Sequence, residues 1–147
     1  VTSCYNEALS SVLDGTYSEE KIKSWKERLS TVFNRGFWDG YYLGQKLGEW
    51  NTRYGSGSTK RKSYIGKITN YFTKSGVAEI KLENDDLSKG DQILIIGPTT
   101  GVIEHTVGEV RVDLTETEKA IKGSFCSVKI PTYLRRSDKV YKWIDRE

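Results

Sequence analysis

The sequence predicts a mainly β protein: a small closed β-barrel preceded by a helical, glycine- and aromatic-rich segment. Two observations carry this. Apolar residues recur at helical spacing through the first third, and beyond Tyr64 they alternate with a period of two. Many short apolar runs, close turn signals, fourteen glycines and only two prolines then favour a sheet closed on itself.

In chain order, Tyr5, Leu9, Val12 and Leu13 form a first helical stripe, stopped at Asp14-Gly15. Ser18-Glu19-Glu20 is a helix start with acids in the first turn, and Ile22, Trp25, Leu29 and Val32 continue its apolar stripe to Phe33. Gly36, Gly40, Gly44 and Gly48 then recur every four residues among aromatics. Glycine costs about 1 kcal/mol inside a helix, so this stretch reads as looped and held by tertiary contacts. Gly55–Ser63 is small, polar and basic, the signature of a linker. The expected strands are Tyr64–Thr73, Val77–Leu82, Gln92–Ile96, Val102–Val107, Glu109–Leu114, Phe125–Ile130 and Lys139–Ile144. The division is therefore residues 1–54, a linker 55–63 and a barrel 64–147.

The 147 residues carry a net charge of +3 and no methionine, and begin at Val1, which reads as a piece of a longer protein. Its longest apolar run, Ile93–Ile96, is far below the roughly 18 residues a membrane helix needs, so no membrane partner is expected. Cys4 and Cys126 are far apart with no C-x-x-C, which fits a reducing, cytoplasmic setting. Two cysteines and the single His105 build no four-ligand zinc site, and no catalytic motif is present, so no metal ligand and no catalytic residue is assigned. Charge is uneven: residues 1–54 hold seven bases and seven acids, whereas residues 55–74 hold five bases and no acid. Lys60, Arg61 and Lys62 in that stretch, with Arg135 and Arg136 near the end, are candidate substrate or RNA contacts. Arg35 and Asp39 stand four apart among aromatics. They read either as an ion pair pinning an aromatic plug, or as an arginine that holds an anionic group.

Asn34-Arg-Gly-Phe-Trp-Asp-Gly-Tyr-Tyr-Leu-Gly resembles the arginine-glycine-aromatic segment of peptidase family U32, the collagenase-like proteins. Cys4-Tyr-Asn-Glu-Ala-Leu is similar to that family's last barrel helix, with Asn6 replacing an arginine and Ser10 an aspartate. Leu87–Pro98 resembles a strand of barrels like domain 2 of elongation factor Tu. The resemblance implies an upstream TIM-like catalytic domain as partner, and an accessory role for this chain in positioning tRNA or another substrate. Some members are called collagenases or proteases, so the parent is a hydrolase on that reading; relatives hydroxylate tRNA uridine with an iron–sulfur cluster in the large domain. This fragment shows none of those cluster cysteines, so no cofactor is assigned to it and it is expected to be inactive alone. The alternatives are a peptidase domain that binds polypeptide, or a structural, oligomerising barrel.

Limited proteolysis is expected to cut within Gly55–Lys62, and resistance there would contradict the two-part division.

Overall fold

The computed structural model describes residues 1–37 and 55–146. The chain divides into two compact units, Val1–Arg61 with Asp145–Glu147, and Lys62–Ile144.

In the first unit, helix α1 (Thr2–Leu13) ends at Asp14, and Gly15 takes the left-handed φ of 68° that terminates it. Helix α2 (Glu19–Ser30) starts at Ser18, whose hydroxyl accepts the Lys21 N–H at 3.4 Å, with Glu19 and Glu20 in its first turn. Glu7 joins the two helices. Its carboxylate accepts the Trp25 indole N–H at 3.0 Å and both terminal nitrogens of Arg28 at 2.5 and 3.0 Å. These bonds, Arg28's first, hold the Glu7 carboxyl below its ordinary range.

The helices differ from expectation in one respect. Tyr5, Leu9, Val12 and Leu13 are exposed by 59–78%, whereas Cys4 and Ser11 are buried. Cys4, Ala8 and Ser11, spaced i, i+4 and i+7, form a face of small side chains, while the bulky stripe stays in solvent.

Strand β1 (Lys60–Phe72) begins four residues before the sequence suggested. Before it, the Gly57 N–H donates to the Asn34 carbonyl at 2.5 Å and the Thr59 N–H to that of Ser30 at 3.1 Å. The other strands are β2 (Val77–Leu82), β3 (Leu87–Ser88), β4 (Gln92–Gly97), β5 (Gly101–Thr106), β6 (Val110–Val112), β7 (Thr115–Thr117), β8 (Lys119–Ala120), β9 (Phe125–Lys129) and β10 (Lys139–Asp145). Three of them, β3, β7 and β8, were not foreseen: they span two or three residues and show no alternation long enough to read.

The expected closed barrel is corrected. The main sheet is open, in the order β5-β4-β10-β1-β2-β9-β6-β7, and β3 pairs only with β8. Its end strands β5 and β7 do not meet. Instead Leu87 of β3 and Ala120 of β8, at 0 and 1% exposure, bury into the same core as Ile65, Ile80, Ile95 and Val140. That cluster lines one face of the sheet, so the domain gains a core without ring closure. The likeness to elongation factor Tu domain 2 rests on the Leu87–Pro98 motif alone.

Two glycines allow close approaches. A Cβ at Gly66 would stand 2.0 Å from the Lys81 carbonyl oxygen of β2, beside the bulge between Ile68 and Asn70. A Cβ at Gly97 would stand 1.9 Å from Oδ1 of Asp138. Asp138 is only 3% exposed, and its Oδ2 accepts from the Thr100 hydroxyl at 2.6 Å and the Arg135 N–H at 2.9 Å. This carboxylate ties the β4–β5 turn to the loop before β10.

Gly97→Ala is expected to destabilise the chain by about 2–3 kcal/mol in urea unfolding, because a buried, hydrogen-bonded carboxylate must move. Gly108→Ala, where nothing lies within 4 Å, is expected to stay within about 0.5 kcal/mol. Equal effects would contradict the role given to Asp138.

Candidate substrate-contact surface

Alternation assigns the two faces of the sheet. On β2, Ala78, Ile80 and Leu82 turn to the core, which leaves Val77, Glu79 and Lys81 outside. On β9, Cys126 and Val128 turn inward and Phe125, Ser127 and Lys129 outward. The register Lys81↔Phe125, Glu79↔Ser127 and Val77↔Lys129 places these outward residues in rows.

Cations and aromatic rings alternate at one end of this outer face. Lys62 Nζ lies 4.9 Å from the Tyr141 ring centroid, and Tyr141 meets Tyr64 edge-on at 5.6 Å. The Tyr64 hydroxyl donates to Glu83 at 2.6 Å, and Lys67 Nζ pairs with Glu83 at 2.9 Å. The bond to Glu83 and then burial push the Tyr64 phenol up to about 12, while the same bond and Lys67 hold the Glu83 carboxyl down. Tyr64 therefore stays a neutral donor. Lys81 Nζ lies 5.7 Å from the ring of Phe125, which is 50% exposed. Such contacts favour polyanions and planar groups together.

The candidates named from sequence do not form one site. Arg35 is exposed, and Asp39 lies outside the described residues, so their pairing has no structural description. Lys60 and Arg61 belong to the first unit, with Lys60 4.0 Å from Asp145. Lys62 belongs to the second unit and joins the aromatic row. Arg135 and Arg136 sit in an exposed loop, with Arg135 5.4 Å from the Tyr133 ring and Tyr133 edge-on to Tyr71. That loop is bonded to Ile68, six residues along β1 from Lys62, or about 20 Å of strand. Sequence reasoning missed Lys67, Lys81, Phe125 and Tyr141. Their signal was present in the alternation, but their grouping depends on strand register.

Burial pushes the Cys126 thiol up to about 12, Cys4 is buried, and among the described residues no group of three His, Cys, Asp or Glu side chains is placed to hold a metal. His105 lies on β5 opposite Ile93. No described helix is long and apolar enough to cross a membrane.

Residues 1–52 match the model of peptidase family U32. A protein named collagenase from Porphyromonas gingivalis is 54% identical over all 147 residues, which are 41% of its length. An uncharacterized protease of Methanocaldococcus jannaschii is 39% identical over 143 residues, 95% of this chain and 35% of its own. The family-model match places residues 1–52 in peptidase family U32. The chain spans 41% and 35% of the lengths of these two curated relatives. Its fold is similar to the C-terminal domain of a protein assigned to the U32 peptidases of Geobacillus thermoleovorans, with a TM-score of 0.51 at 17% identity. That match covers 54% of this chain and 91% of the other.

Proposed function

We propose that this C-terminal U32 chain is an accessory part of a longer enzyme and positions RNA, tRNA in particular, for a TIM-like catalytic domain upstream. One observation carries the reading: the row of Lys62, Tyr141, Tyr64, Lys67, Lys81 and Phe125 across four neighbouring strands. Rings and ammonium groups at this spacing suit bases and phosphates. The exposed stripe Tyr5, Leu9, Val12 and Leu13 supports a larger parent, because bulky apolar faces of that kind mark contact sites. Any iron–sulfur cluster and the catalytic groups would reside in the upstream domain. Two unpaired, buried thiols support a reducing, cytoplasmic setting.

The names of the P. gingivalis relatives favour a second reading, in which the same rings contact polypeptide for a U32 peptidase. Third is a purely structural, oligomerising domain.

Binding of tRNA and of gelatin to the 147-residue chain separates these. The RNA reading expects retention of tRNA that weakens steeply with salt, and a log–log slope that becomes shallower by about 0.7–0.9 for each of Lys62 and Lys81 changed to Gln. Salt-independent gelatin binding without tRNA retention would establish the polypeptide reading instead. Self-association with neither ligand bound would leave the structural one.

A further inference from the structure

The opposite end of the same outer face holds a groove of about 500 Å³ between the end of β1 and the β6–β7 hairpin. Phe72, Val77 and Leu114 give it apolar surface, Arg111 and Lys129 give it two cations, and Glu109 gives it one acid. Arg111 is engaged by Glu109, but Lys129 has no ion-pair partner among the described residues. Phe72 is 46% exposed, so its ring is open for stacking.

The hairpin tip beside this groove is unusual. Asp113 and Leu114 occupy the two central turn positions with φ of 49° and 67°, where a hairpin favours Asn-Gly. Leu114 is a branched side chain in a left-handed conformation and is 90% exposed. Neither the core nor the turn needs a leucine there. Strained backbone beside a cleft is a common attribute of ligand clamps.

We infer that this groove is a subsite for one nucleotide unit: a base stacked on Phe72 under Leu114, its phosphate held by Lys129. An apolar ligand would leave Lys129 unused, and a simple anion would leave the ring and the leucine unused. A nucleotide uses both, and the volume lies in the range of small-molecule pockets. Ser127, opposite Arg111 in register, adds a hydroxyl for a base edge. The inference rests on the RNA reading above and extends it to the far end of the same face.

Calorimetric titration of the 147-residue chain with uridine 5′-monophosphate, uridine and inorganic phosphate tests it. The nucleotide is expected to bind at least about tenfold more tightly than either part, and Phe72→Ala or Lys129→Gln to weaken it about tenfold or more. Leu114→Gly relieves the positive φ, so it is expected to raise the unfolding temperature yet weaken nucleotide binding. A merely structural leucine would not separate those readouts. Absence of nucleotide binding, or binding unchanged in all three variants, overturns the subsite, as does displacement of the nucleotide by an acidic, leucine-containing hexapeptide that binds more tightly. If the subsite alone is wrong, salt-dependent tRNA retention survives with no nucleotide bound. If the RNA reading is wrong, tRNA is not retained even though the nucleotide binds.

Discussion

The sheet has a single core face, and that constraint sets everything the domain offers to a ligand. Ile65, Ala78, Ile80, Leu82, Cys126 and Val128 are all within 1% of complete burial. Because successive strand residues point to opposite faces, each of them fixes its neighbours outward. Lys81 is outside because Ile80 and Leu82 are inside, and Phe125 is outside because Cys126 is inside. The rows of cations and rings are thus a geometric consequence of core packing plus register. A one-residue slip of β9 against β2 would bury Phe125, Ser127 and Lys129 and dismantle the surface.

The first unit shows the complementary arrangement. Glu7 grips Trp25 and Arg28 across the helix pair, and the residues facing inward on α1 are small. The large apolar residues of that helix are left in solvent. The family match to residues 1–52 falls on this unit, whereas the likeness to a solved C-terminal domain covers 54% of the chain.

Much of this was legible beforehand. The strands β2, β4 and β9 were readable because alternation or continuous apolarity spans five or six residues, and α2 because Ser18 and the acids mark its start. The strand order was not legible, since β1 sits beside β10 through contacts far apart in sequence. Closure failed as an expectation for a related reason: nothing local in β5 or β7 reports whether they meet. At the surface, counting charges selected Lys62 but grouped it with Arg135 and Arg136, which the fold places well along the strand. Lys81 and Phe125 looked like ordinary polar-face and strand residues until register set them side by side.

The central claim is that the outer face of the sheet is where RNA lies. Photocrosslinking of single-stranded RNA carrying 4-thiouridine to the chain, with adducts located by mass spectrometry, tests it most directly. The account predicts adducts at Tyr64, Tyr141, Phe125 and Phe72. Adducts confined to the helix pair or to the Tyr133–Arg136 loop would contradict it.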